Sequence, residues 1–254
     1  MSSSSSPPPL TIHHLHISQS ERIVWLCEEL AIPYTLKTYR RDPLLSPAPL
    51  AALTPQKSAP VMTTTNPVTG VEFNMAESGA IAAYIDSVFG GARLSLDAAH
   101  ANYPDFLFWF HYANGTLMPA FGRLLSGAWL QPSPDNPFPK SLLAGLRKHL
   151  GAVDARLATT GAFLAGDRFT LADVLTVWSL TTGRQWTPAN LSAYPAILAY
   201  LQRIGSREAY QRAMDKAEPG LDWRQGLTAE GPELFPAYRQ MLDQTGIDLT
   251  QWKI

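Results

Sequence analysis

Every strand signal in this chain of 254 residues lies ahead of Gly90-Gly91, and from about Leu96 onward only helical periodicity remains. A sheet face and a helix stripe must each be buried against another layer, so this division calls for an α/β unit followed by an all-helical one. Ahead of the glycines, Leu10 to Leu15 reads as a strand. From Gln19, the apolar residues Ile23, Leu26, Cys27 and Leu30 recur at i, i+3, i+4 and i+7 on one helical face. Pro33 stops that helix, because a residue before proline is biased away from helical geometry. Tyr34 to Tyr39 is a second strand. After a Pro-rich stretch from Pro43 to Pro55, Pro60 to Met62 and Val71 to Phe73 flank Asn66-Pro67-Val68-Thr69-Gly70, the spacing of a β-hairpin. A helix follows from Glu77, with Ile81, Tyr84, Ile85 and Val88 as its buried stripe.

The order βαβ, connection, ββα predicts a thioredoxin-like N-terminal domain with a mixed four-stranded sheet. Amphipathic helices over Tyr103 to Leu125, Lys140 to Ala158 and Thr170 to Leu180 then predict an all-α helical domain. The expected organisation is a disordered lead-in over 1–9, the thioredoxin-like domain over 10–92, the helical domain over 96–218, and an ordered extension over 219–254 that contributes Trp223, Phe235, Tyr238 and Trp252.

Charge narrows the function. The formal net charge is −1 and no run of Lys or Arg exceeds two, so the chain has no electrostatic footprint for nucleic acid or an anionic membrane. No stretch approaches the roughly 20 apolar residues of a membrane span. Met1 to Pro9, five serines and three prolines, has neither the basic nor the apolar region of a signal peptide. A single cysteine, Cys27, allows no intrachain disulfide and fits a reducing compartment, so the cytoplasm is the expected location. Cys27 sits on the apolar stripe of the first helix and reads as a core residue, and no Cys-x-x-Cys opens that helix. His13, His14 and His16 do not make a metal site, because on a strand His13 points away from the other two and no further ligand is nearby.

Four segments carry chemistry in order: Leu15-His16-Ile17-Ser18-Gln19-Ser20-Glu21-Arg22, Ser58-Ala59-Pro60-Val61, Ala76-Glu77-Ser78, and Gly166-Asp167-Arg168-Phe169-Thr170-Leu171-Ala172-Asp173. With the two-domain layout they resemble glutathione transferases, and the opening is most similar to the fungal, yeast-type members. The resemblance runs from about Leu10 to Arg212. It implies glutathione as the cofactor or cosubstrate, an apolar electrophilic small molecule as the partner in reaction, and a homodimer.

Ser18 falls at the strand-to-helix turn, where free backbone N–H groups and the helix dipole favour an anion such as a thiolate. Its hydroxyl is a candidate donor to that sulfur, or a simple helix cap, and Ser20 is the second candidate. The resemblance implies a cis Ala59-Pro60 bond, with the backbone of Ala59 pairing with the cysteinyl unit of glutathione. It also implies a lysine for the glycyl carboxylate, but Lys57 stands one place earlier than the family pattern and Ser58 takes that place. Glu77 and Ser78 supply a carboxylate for an ammonium, and a hydroxyl with free backbone donors for a carboxylate, as a γ-glutamyl group requires.

Thr170 to Asp173 is a capping box and belongs to folding. The aromatic helix from Phe106 to Met118 offers Tyr112, Met118 and, beyond it, Phe121 as candidates for gripping the electrophile. Two other activities remain compatible with the same residues: cis/trans isomerisation of a polyene or enone by reversible thiol addition, and a non-catalytic binding or regulatory module.

Overall fold

The computed structural model describes residues 8–133 and 135–249. The expected lead-in up to Pro7, and the last residues of the extension including Trp252, lie outside the described residues.

Leu10–Leu15 (β1) is the central strand. It pairs in parallel with Thr35–Tyr39 (β2) and antiparallel with Val61–Thr65 (β3), and Glu72–Met75 (β4) closes a mixed sheet of order β2-β1-β3-β4. Leu10 and Ile12 point into the main core, while Leu15 joins Leu50, Ala59 and Val61 in a smaller cluster. Both faces of β1 are therefore covered, which explains an apolar strand with histidines in place of a plain alternation. The β3–β4 turn is closed by Gly70 N–H to the Asn66 carbonyl, with Gly70 at φ +70°, a conformation that favours glycine.

Glu21–Leu30 (α1) buries nine of its ten residues because it is enclosed by the sheet, by Ser78–Val88 (α3), by Leu171–Leu180 (α7) and by Glu208–Ala217 (α9). It ends at Ala31 in the left-handed region, two residues ahead of Pro33, as the sequence requires. Between β2 and β3 lies one short helix, Ala48–Ala51 (α2). On α3, Ile81 and Ile85 are fully buried and Tyr84 partly so, but Val88 is 39% exposed. The expected stripe stops short because Val88 is the last helical residue and Phe89, packed on Tyr84, turns inward in its stead.

The helical part begins with a long rod made of Tyr103–Tyr112 (α4), a π-helical turn at Ala113–Leu117, and Met118–Trp129 (α5). Phe138–Thr160 (α6), α7 and Pro195–Gly205 (α8) pack beside it, and one continuous core runs from β1 through α1 to α7 and α8. Pro236–Thr245 (α10) follows α9, and Trp223, Tyr238 and Leu242 are buried in the same core. No described helix is long and apolar enough to cross a membrane.

The start of α7 is fixed as the capping box predicts, and more firmly. The buried Asp173 carboxylate accepts from Thr170 N–H (2.9 Å) and its hydroxyl (3.2 Å), from Leu164 N–H (3.0 Å) and from the Tyr200 hydroxyl (3.0 Å). Burial nevertheless outweighs these bonds and raises its pKa to about 6.

Candidate active site

The site is built around the turn between β1 and α1. Ile17 there has φ +50°, an unfavourable conformation for a β-branched residue that costs on the order of 1–3 kcal/mol. Its surroundings impose it. Its N–H donates to Glu218 Oε1 at 2.6 Å, and its carbonyl accepts from Arg41 Nη2 (2.8 Å) and from the Trp186 indole (3.3 Å). Arg41 also donates to the His16 carbonyl and lies 4.6 Å over the Trp186 ring. Burial lowers the Arg41 pKa to about 10, against the attraction of Glu218, so the guanidinium stays charged near neutrality.

Glu218 follows α9 and is almost wholly buried. Besides Ile17 N–H, it meets His14 Nε2 at 3.1 Å and the His16 ring. Burial pushes its pKa up, but the hydrogen bonds and charges of the two histidines prevail and hold it below the usual carboxylate range. Nearby Glu21 is fully buried; burial first, and the repulsion of Glu218 second, raise its pKa well above normal.

With the turn held this way, Ser18 lines a cavity of about 560 Å³. Its Oγ lies 2.6 Å from Ser20 Oγ and accepts Ser20 N–H at 3.2 Å. Ser20, the second candidate, is fully buried and does not line the cavity. Its Oγ is taken up by Leu15 N–H (3.0 Å) and His14 Nδ1 (2.8 Å) as well as by Ser18. Of the two hydroxyls, only Ser18 is placed to meet a ligand there.

The start of α3 is a second polar locus. Helical geometry begins at Ser78, and Glu77 is the exposed N-cap residue with φ +70° and ψ 105°, a strained backbone for any residue with a side chain. The buried Ser78 hydroxyl accepts from Asn114 Nδ2 (3.0 Å) and from Arg22 Nη1 (3.3 Å), and donates to Gln19 Oε1 (3.3 Å). Arg22 also donates to Asn114 Oδ1 at 2.8 Å and stands 5.3 Å over Trp178. Burial lowers its pKa to about 9, so it remains a cation at neutral pH. The π-helical turn is what presents Asn114 here, consistent with the tendency of such turns to mark functional sites.

The sheet side of the cavity carries Lys57, Ser58 and Ala59, and the Ala59-Pro60 bond is cis. The helical side carries Met118 and Phe121, as expected. Tyr112 is not in the wall: its hydroxyl is 2.8 Å from His149 Nδ1 on α6 and its ring stacks on Phe108. The sequence reading missed Arg41, Leu44, Trp178, Ser179 and Trp186 in the wall, and Glu218 behind it. None of these has a local signal; each is brought in by the packing of distant elements. Cys27 is buried in the core, and burial pushes its thiol pKa upward. His13 bonds Tyr39 and Thr63 on the opposite face from His14.

A thioredoxin-like sheet followed by helices, with a serine at the first strand-to-helix turn facing a cavity, defines the class of two-part thiol-binding folds. Two family descriptions match in succession: "Glutathione S-transferase, N-terminal domain" over residues 18–88 and "Glutathione S-transferase, C-terminal domain" over residues 108–208. The chain belongs to the glutathione transferase superfamily. It is 26% identical over 231 residues to glutathione S-transferase 1 of Saccharomyces cerevisiae, covering 84% of this chain and 97% of that protein. It is 25% identical over 221 residues to glutathione S-transferase 3 of Schizosaccharomyces pombe, covering 82% and 88%. These two yeast relatives bear out the fungal-type resemblance. Among solved structures, a glutathione S-transferase of Actinobacillus pleuropneumoniae superposes with a TM-score of 0.72 at 26% identity, covering 88% of this chain and all of that one. A Burkholderia graminis glutathione transferase with two glutathione molecules bound per subunit shares the fold, with a TM-score of 0.67 at 22% identity, covering 86% and 92%.

Proposed function

We propose that the protein is a glutathione transferase that ionises the glutathione thiol beside Ser18 and directs it at an apolar electrophile held against the helical wall. The observation that carries this reading is the position of Ser18. It is the cavity-lining hydroxyl of a strained turn, with the backbone of Ala59 on one side and Met118, Phe121 and Trp186 on the other. The γ-glutamyl carboxylate takes the backbone donors at the start of α3, with the Arg22 cation behind Ser78, and the Glu77 carboxylate meets the ammonium. Ala59 pairs with the cysteinyl backbone and Lys57 takes the glycyl carboxylate. The cavity of about 560 Å³ falls within the range of small-molecule sites. Holding thiolate and electrophile together supplies much of the acceleration.

Calorimetry with glutathione, and turnover of an activated aryl chloride by the parent and Ser18→Ala proteins, test the proposal. Uptake of glutathione by both, with turnover about 10–100-fold lower in the variant, is expected for the loss of one hydrogen bond to a charged sulfur. Folded parent protein that takes up no glutathione refutes it. Product analysis with a conjugated enone separates a stable adduct from an isomerised acceptor, and gel filtration tests the expected homodimer.

A further inference from the structure

Behind Ser18 stands a chain of groups whose hydrogen-bonding capacity closes in two ways. Ser18 Oγ is 2.6 Å from Ser20 Oγ, Ser20 Oγ is 2.8 Å from His14 Nδ1, and His14 Nε2 is 3.1 Å from Glu218 Oε1. All four side chains are buried, and Ser18 alone reaches the cavity. Glu218 orients the ring, so the Nε2 proton faces the carboxylate and Nδ1 is the nitrogen that can gain or lose a proton.

With His14 neutral, Nδ1 is an acceptor. Ser20 then donates to it at 2.8 Å, a shorter contact than its alternative acceptor, the Leu15 carbonyl at 3.3 Å, and Ser20 Oγ receives Leu15 N–H and the Ser18 hydroxyl, so the Ser18 proton points away from the cavity. With His14 protonated, every arrow reverses. Nδ1–H donates to Ser20, Ser20 donates to Ser18, and Ser18 Oγ, already accepting Ser20 N–H, has its own proton free to point into the cavity. Ser20 Oγ accepts two protons and donates one in both states, whereas Ser18 Oγ accepts two only with His14 protonated; with His14 neutral it accepts Ser20 N–H alone and keeps a lone pair for the thiol proton.

We infer that His14, oriented by Glu218, receives the glutathione thiol proton through Ser20 and Ser18. The S–H bond breaks and sulfur keeps the electron pair. Its proton goes to Ser18 Oγ, the Ser18 proton to Ser20 Oγ, and the Ser20 proton to His14 Nδ1. The result is a thiolate that accepts a hydrogen bond from Ser18, and a buried imidazolium paired with a carboxylate. Once sulfur has formed its new bond, the proton returns through the same hydroxyls to the departing group or to water. His14 touches no substrate in this scheme; it is a positioning and relay residue. Glu218 is the charged group that meets His14; His16 meets the same carboxylate, Glu21 on α1 and Arg41 on the loop after β2 interact with Glu218, and Tyr210 on α9 senses Glu21.

The inference rests on the proposed glutathione site, and the test separates the two. Ionisation of the bound thiol is followed by thiolate absorbance across a pH titration at saturating glutathione, for the parent protein, His14→Gln and Ser20→Ala. Ser20→Ala removes a single oxygen from the middle of the chain and leaves the His14–Glu218 pair in place, which covers the case of a poorly folding His14 variant. In each folded variant the bound thiol should ionise about one pH unit or more higher than in the parent, with glutathione affinity within about threefold. Turnover at about pH 6.5 should fall about tenfold and recover as pH rises, a dependence that a merely structural role would not produce. Variants that bind glutathione and ionise its thiol at the parental pH overturn the relay. Failure of the parent protein to bind glutathione overturns the site itself, and the relay with it.

Discussion

Replacing Asp173 by Asn changes one atom of a carboxylate that accepts four hydrogen bonds at the start of α7. The oxygen that remains can still serve Leu164 N–H and the Tyr200 hydroxyl. The new amide faces Thr170 N–H donor to donor, which costs about 1–3 kcal/mol. Against this stands a charge penalty present only in the parent. Its carboxyl titrates at about 6 in the folded protein against 3.8 ordinarily, the larger cause being burial. A raised acid binds more protons folded than unfolded between those values, so its contribution to stability falls as pH rises through about 4 to 6. At about 1.36 kcal/mol per pH unit, that difference amounts to roughly 3 kcal/mol, absent from the variant. Urea unfolding followed by tryptophan fluorescence should therefore find the variant clearly less stable than the parent at about pH 4.5. The gap should close by roughly 2 kcal/mol at about pH 7.5, since about 1 kcal/mol of the full difference is already lost by pH 4.5. A gap that stays constant, or widens with pH, would refute the assignment of a buried, charged cap.

Three other substitutions probe the site. Glu77→Gly should leave thermal stability unchanged or raised by up to about 1 kcal/mol, because glycine accepts φ +70°, while calorimetry records weaker glutathione binding. Tyr112→Phe should lose about 1 kcal/mol of stability with the His149 bond and leave turnover unchanged, since that hydroxyl does not face the cavity. Phe121→Ala should cost about 3–5 kcal/mol in unfolding measurements and raise KM for an aromatic electrophile more than for glutathione.

How far the sequence could be read follows the range of the interactions. β1, α1, the hairpin and the α7 capping box rest on periodicity, prolines and caps within a few residues, and all appear where expected. Val88 fits the α3 stripe by spacing but falls at the helix end, where no further turn packs beneath it. Aromatic character makes both Tyr112 and Phe121 candidates for gripping the electrophile, yet nine residues at about 100° each set them on opposite sides of a regular helix. A π-helical turn, which no residue pattern announces, stands between them, and Tyr112 lies against α6. His14 was legible only as a strand histidine without a ligand, because its partner Glu218 lies 204 positions away and beyond the segment that resembles the family. Trp186 and Arg41 join the cavity for the same reason: tertiary packing decides it.

The bond from Ile17 to Glu218 spans 201 positions of chain. At about 5–20 residues per second, a ribosome that has just released β1 needs roughly 10–40 s more to deliver the carboxylate that latches the loop behind it. Until then the sheet can assemble and Arg41 can hold the Ile17 carbonyl, but the Ile17 N–H lacks its acceptor and Ser18 is not fully aimed. Nascent chains and N-terminal fragments should thus be catalytically silent even when their strands are paired, and competence should arrive late, in one step, with the docking of the segment after α9.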